Sequence, residues 1–329
     1  MIKRAAKAAG SSWGQRIMIL VAICAIMAIF EPVFFRIANA RSILFAIAVT
    51  GVMSCGMLFT VLVGGLDLSV GSVAGTAASV AFLISQSFGF SDVSFLLGCL
   101  AALAVSLVLG WINGFFVTVF GIPAFVVTLA MKYALYGGIF VILKGIYIYA
   151  PTSGIINQFG NSTVLSIPLP VIVFVIIVVI CAFVLGKTTY GRYLYAIGGN
   201  RRVANIVGIN SIRHTRSAFM ISSVLSGFAG IMLASMNGQS EPRTGLGYEA
   251  NVLMAMVIGG INLAGGEGGV PGAVFGALLV GVINNAMLLL SISSDIQSLV
   301  QGVVIIAAML LSTFAQRGSA GELKVRAKQ

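Results

Sequence analysis

The chain has 329 residues, 59% hydrophobic and only 8% charged, with a formal net charge of +11. A soluble domain carries about 25% charged residues, so this composition excludes a soluble enzyme, a disordered chain and a coiled coil. It also excludes a membrane β-barrel, whose strands alternate apolar and polar residues over about 10 positions. The apolar runs here continue for about 20 residues, the length a helix needs to cross a bilayer.

Ten apolar runs follow in chain order, at 17–35, 43–63, 70–88, 94–119, 124–143, 168–186, 217–236, 249–264, 270–290 and 296–315. The expected fold is an all-α membrane protein, a polytopic bundle of about ten transmembrane helices in one domain. The third run is rich in Ala, Ser and Gly, which suits close helix packing. The eighth is short and ends in glycines. An even count puts both termini on one side, and the basic residues agree. Lys3, Arg4, Lys7 and Arg16, the loop residues Lys187, Arg192, Arg201, Arg202, Arg213 and Arg216, and the tail residues Arg317, Lys324, Arg326 and Lys328 share a side. Arg36, Arg41, Lys144 and Arg243 fall on the other, and Lys132 lies within a run. Positive charge stays cytoplasmic, so both termini are expected inside. The charge thus serves topology and docking, and no nucleic-acid partner is implied.

Lys3, Arg4 and Lys7 before the first run, with Ala38-Asn39-Ala40 after it, resemble a cleavable signal. Glu31, Pro32 and Arg36 interrupt that pattern, and losing the run would break the charge distribution, so the first helix is expected to stay. Cys24, Cys55, Cys99 and Cys181 each sit alone in an apolar run and read as small buried hydrophobes. His214 is the only histidine. No cofactor or metal site is expected.

Val63-Gly64-Gly65-Leu66-Asp67-Leu68 recurs as Ile258-Gly259-Gly260-Ile261-Asn262-Leu263, which suggests an internal repeat of the kind that builds transporters. In the first copy, Asp67 and Ser69 can cap the start of the third run, and the paired glycines let the backbone break. The segment reads either as a capped turn at the membrane face or as a broken helix lining a pathway.

The loop after the sixth run, 187–216, holds a second pattern. Asn200 is a plausible N-cap for a short helix over Arg201–Val207, closed by Gly208. Val203, Ile206 and Val207 share one face of it. Such a helix either lies on lipid headgroups or enters a groove of a soluble partner.

In this loop, Tyr195-Ala196-Ile197-Gly198-Gly199-Asn200, Ala204 and Gly208-Ile209 resemble the coupling segment of bacterial monosaccharide ABC importer permeases of the ribose/galactose/xylose type, more distantly related to branched-chain amino acid permeases. Three further segments are similar: Gly64 to Gly71; Asn113-Gly114 with Ile122 to Leu129; and Val257 to Gly260 with Gly265-Gly266 and Gly272. The resemblance runs from about residue 40 to 315.

The resemblance implies a permease that pairs with a second permease copy, identical or not, in the bacterial inner membrane. A periplasmic sugar-binding protein delivers substrate, and a separate cytoplasmic ABC ATPase drives transport. The absence of a GxxxxGK[ST] loop agrees with a chain that hydrolyses nothing itself. The resemblance assigns ATPase coupling to Gly191, Arg192, Tyr195, Ala196, Gly198, Gly199, Asn200, Arg201, Arg202, Ala204, Gly208 and Ile209. The family commonly carries acidic residues where Arg201 and Arg202 stand, so this coupling helix calls for an ATPase groove of negative potential. The family also often has a basic residue near Tyr136; here Lys132 stands one turn earlier on the same helix face.

Gly64, Gly65, Asp67, Ser69, Asn113, Phe125, Lys132 and Asn284 are the substrate-pathway candidates. Lys132 either lines the pore, pairs with a carboxylate or snorkels to an interface. Asn113, Asn251, Asn284 and Asn285 need amide partners within the membrane and more often cross-link helices. Phe59, Phe125 and Tyr133 are candidates to stack on a sugar ring. The polar segment 239–249 is expected on the outer side, either as a surface that meets a binding protein or as a solvated loop. An ion-coupled secondary transporter is the alternative, but it would want intramembrane carboxylates, and only Asp67 is close. A membrane enzyme lacks any catalytic constellation.

Overall fold

The computed structural model describes residues 12–306 except Ser153. The expected positions of both termini, the basic residues Lys3, Arg4, Lys7, Arg317, Lys324, Arg326 and Lys328, and the end of the tenth run lie outside the described residues. Helix α1 is Ser12–Phe30 and breaks at a single 3-10 turn, Pro32–Phe35. Helices α2 (Ile37–Leu62), α3 (Val70–Ser87), α4 (Asp92–Val119) and α5 (Ala124–Leu143) follow. After a short α6 (Ile155–Asn161) come α7 (Leu169–Lys187), α8 (Thr189–Gly199), α9 (Arg201–Ile206) and α10 (Ser211–Asn237). The last are α11 (Tyr248–Ile258), α12 (Val270–Leu289) and α13 (Ser294–Ile306). Strand β1 (Ile148–Tyr149) pairs antiparallel with β4 (Gln239–Ser240), and β2 (Thr163–Val164) pairs antiparallel with β3 (Ile167–Pro168).

Among the described residues, α2, α3, α4, α5, α7, α10 and α12 are long and apolar enough to cross a membrane, which makes this a multi-pass membrane protein. Of the other three expected helices, α11 is shorter, while α1 (apolar over Arg16–Phe30) and α13 reach the edges of the described residues. The largest departure is α11. Its eleven residues reach about 16 Å at 1.5 Å per residue, half of a hydrocarbon core about 30 Å thick.

The other half of that passage is extended chain. Gly71, Gly75 and Ser79 recur every fourth residue along one face of α3, and segment 240–245 lies in the groove they leave. Ser240 Oγ is 3.5 Å from Ser79 Oγ. A Cβ on Gly75 would strike the Thr244 carbonyl, and one on Gly71 the Gly245 carbonyl. Thr244, Gly245 and Glu249 are buried. Segment 239–249 is therefore not a solvated outer loop along its whole length; it re-enters the bundle. Irregular backbone is tolerated at such depth when protein surrounds it, and a Glu241–Thr244 turn supplies part of its hydrogen bonding.

Small residues also set the remaining packing. Gly98 of α4 sits on the Ala81 carbonyl, Gly230 of α10 on the Ala74 carbonyl, and Gly227 against Ser106. These contacts draw α3, α4 and α10 into one tight group beside the buried α2, as small-residue stripes do where lipid offers no hydrophobic drive. Helices α4, α5 and α7 turn most of their apolar surface outward. On α2 and α12, Asn39 and Asn285 exchange two amide hydrogen bonds of 2.9 Å each.

Candidate functional site

The loop after α7 folds as a helical elbow. Thr188 caps α8 by accepting from the Gly191 N–H at 3.3 Å, and Asn200 caps α9 by accepting from the Val203 N–H at 3.1 Å. Gly208, at φ +88°, ends the turn. The Asn200 cap and the stop at Gly208 follow the local chemistry of the sequence. Val203, Ile206 and Val207 are exposed, and Ala204 is buried beneath them. Arg192, Arg201 and Arg202 are exposed, with Arg201 reaching Thr215 Oγ1 at 3.2 Å. Ala196 is exposed and Ile209 half-buried.

Behind the elbow three glycine turns meet. The Gly266 N–H donates to the Leu62 carbonyl at 3.0 Å. Gly198 lies against both groups, so a Cβ there would overlap them. Gly64 and Gly265 touch in the same junction, and Gly191 is jammed on the Leu185 carbonyl. Tyr195 Oη donates to the Gly268 carbonyl at 3.0 Å. Burial pushes the Tyr195 hydroxyl up from its ordinary pKa. Gly199 has open space around it.

The two copies of the internal repeat build the same device with a one-residue offset. Gly64 (φ +78°) and Gly260 (φ +68°) end their helices, and the next residues, Gly65 and Ile261, donate back to Thr60 O and Met256 O at 2.8 and 3.0 Å. This is the Schellman closure of a helix end. Asp67 and Asn262 then accept from the N–H two residues on, each at 3.0 Å.

Asp67 is fully buried. Its Oδ1 accepts from the Ser69 N–H and from Ser69 Oγ (2.6 Å), and its Oδ2 from Ser222 Oγ of α10 (2.8 Å). Asn113 of α4 donates to Ser69 Oγ at 3.0 Å. Thr128 of α5 accepts from the Leu68 N–H and donates to the Leu66 carbonyl, both at 3.0 Å. One carboxylate and its neighbours thus tie the 63–69 break to α4, α5 and α10. Ser222 lies eleven residues along α10, about 16 Å from its start, so the network sits at membrane depth.

Lys132 of α5 forms an ion pair with Glu249 of α11, Nζ to Oε1 2.7 Å. Phe125 and Tyr133 are exposed on α5, while Phe59 is buried. Asn284 donates to Asn251 Oδ1 at 3.0 Å, which also accepts from Gln301 at 3.1 Å. The structure therefore gathers Gly64, Gly65, Asp67, Ser69 and Asn113 in one place and leaves Phe125, Lys132 and Asn284 outside that network. Sequence reasoning missed Glu249, Ser222 and Thr128. The signal for Glu249 was present: one acidic residue at the head of an apolar run and one lysine inside another. Among the described residues no group of three His, Cys, Asp or Glu can hold a metal.

The family described as "Branched-chain amino acid transport system / permease component" matches residues 39–309. The chain is 34% identical over 299 residues to a ribose import permease of Haemophilus influenzae, covering 90% of this chain and 91% of that protein. It is 33% identical over 317 residues to an L-arabinose transport system permease of Escherichia coli, covering 94% and 93%. Over 295 residues it is 33% identical to a D-allose transport system permease of Escherichia coli, covering 89% of each. No solved structure matches. The chain belongs to this family of transport-system permease components, alongside the ribose, arabinose and allose permeases.

Proposed function

We propose that the protein is the permease subunit of an ATP-driven importer that carries a monosaccharide across the bacterial inner membrane. A periplasmic binding protein delivers the sugar, a separate cytoplasmic ABC ATPase supplies the drive, and a second permease copy completes the pore. The printed substrates of the relatives, ribose, arabinose and allose, support this reading.

The observation that carries it is the contact between the elbow and the helix breaks. Helix α9 presents Val203, Ile206 and Val207 outward beside Arg201 and Arg202, a face suited to an acidic-rimmed groove of a soluble partner. The same elbow is locked through Gly198 to Leu62 and Gly266. A displacement of the elbow therefore reaches the Leu62–Gly64 helix end and the Gly265–Gly266 turn together. Gly191, Arg192, Tyr195, Ala196, Gly198, Gly199, Asn200, Arg201, Arg202, Ala204, Gly208 and Ile209 form the coupling unit. In this reading Asp67, Ser69 and Asn113 hold the break that Gly64 and Gly65 open, while Lys132, Phe125 and Asn284 border the path.

The test is uptake of labelled D-ribose, L-arabinose and D-allose by proteoliposomes holding the permease, its ATPase and its binding protein. Uptake of one of them that requires ATP inside and no ion gradient is expected. Uptake that needs an ion gradient and ignores ATP overturns the reading.

A further inference from the structure

Lys132 and Glu249 form the one ion pair among the described residues. Lys132 stands eight residues into α5, about 12 Å along the helix. Charges at such depth face a water-filled cavity or the protein interior rather than lipid. The Lys132 side chain keeps 19% of its surface exposed, about twice the 10% of Glu249. An ammonium has three N–H donors. One meets Glu249 Oε1, and the ammonium also stands 5.6 Å over the ring of Tyr133, which is 67% exposed. One turn further along α5, Gly137 has open space around it.

Behind this edge, Glu249 Oε2 is buried against Gly71, with the Tyr136 hydroxyl beside the same carboxylate. Neither atom completes a hydrogen bond of good geometry. The exposed edge thus presents hydrogen-bond donors and an aromatic face. Its charge is already balanced by Glu249, so neither an anion nor a cation gains a net partner there. A neutral ligand rich in hydroxyls fits it: hydroxyl oxygens accept from Lys132, and the C–H face of a ring lies on Tyr133.

We propose that Lys132 and Tyr133 form a hydroxyl-recognition point on the translocation path for a neutral polyol, with Glu249 and Tyr136 as positioning residues behind them. The inference rests on the sugar-importer reading for its ligand, but its place beside water is tested independently.

Tyr133→Cys and, as a lipid-facing control, Val179→Cys on α7 are made in a chain with Cys24 and Cys99 replaced by Ser. Both are treated in membranes with a charged thiosulfonate, which reacts with cysteines that water reaches. Labelling at 133 and none at 179 is expected; equal silence at both positions overturns the proposal. Uptake of D-ribose, L-arabinose and D-allose is then compared in the reconstituted importer. Lys132→Met is expected to raise the half-saturating concentration of the transported sugar about tenfold or more, the scale of a lost hydrogen bond to a charged group. Glu249→Gln, made at the positioning residue, is expected to raise it less than Lys132→Met. The exchange Lys132→Glu with Glu249→Lys restores an ion pair but moves the ammonium off the path. Uptake that stays impaired in the exchanged protein supports recognition, and recovery to the wild-type level reduces the pair to a structural tie and overturns it. A wild-type protein that takes up none of the sugars would count against the importer reading, and labelling at 133 would then decide the site alone.

Discussion

Gly198 of α8 rests on the Leu62 carbonyl at the end of α2, with no room between them for a Cβ. Gly199, its neighbour, faces open space. Gly198→Ala is therefore expected to destabilise the protein by about 1–3 kcal/mol, the usual cost of forcing atoms into a packed site. Gly199→Ala should leave stability within about 1 kcal/mol of the original. Unfolding in detergent, followed for both variants, checks this contrast.

Asp67 is expected to tolerate Asn far better than Ala. Asp67→Ala strands the hydroxyls of Ser69 and Ser222 in a buried site, at about 1–3 kcal/mol for each unmet group. Asp67→Asn keeps an acceptor for Ser69 and a polar partner for Ser222. The Ala variant should lose folded protein from the membrane, while the Asn variant keeps most of it, as fluorescence-detected size exclusion would measure.

The reciprocal Asn39–Asn285 amide pair predicts a double-mutant cycle with positive coupling. Asn39→Leu strips Asn285 of both bonds of the pair, and Asn285→Leu leaves Asn39 only its bond to the Phe34 carbonyl. The double variant removes both and should be destabilised by less than the sum of the two. The coupling expected is about 0.6–2 kcal/mol, the range for side-chain hydrogen bonds between membrane helices.

Asn200→Ala removes the α9 cap and should cost the short helix about 1 kcal/mol. Because α9 buries only Ala204 in the bundle, insertion and total stability should hold while ATP-driven uptake falls. Asn200→Asp retains the capping oxygen and should keep the helix. Uptake and membrane abundance measured together separate a coupling defect from a folding defect.

Local chemistry was the legible part of this molecule. Asn200 as a cap, Gly208 as a stop and the outward face of Val203, Ile206 and Val207 all follow from residues within a few positions of one another. The full-length apolar runs were legible for the same reason. The re-entrant passage was not. A polar stretch such as Gln239 to Glu249 has the composition of a solvated loop, and only the Gly71, Gly75 and Ser79 face of α3 gives its backbone a groove to occupy. That match depends on residues more than 160 positions apart in the chain. The Lys132–Glu249 pair was half legible: a lone lysine and a lone carboxylate in apolar runs each call for a partner, but nothing local says that each is the other's. Asp67 was recognisable as important, but Ser222 as its second donor was one serine among several on α10. The repeat was visible in sequence, yet its one-residue offset at Gly64 and Gly260 follows from where each backbone turns left-handed.

The central claim is that this chain moves solute only when a partner burns ATP against its α8–α9 elbow. The most direct measurement is purification of the tagged chain from its native membrane, with mass spectrometry of everything that stays bound. The account predicts an ABC ATPase in stoichiometric amount, released by Val203→Glu with Ile206→Glu on the exposed face of α9. A chain that purifies without an ATPase, and still takes up solute in proteoliposomes on an ion gradient alone, would contradict it.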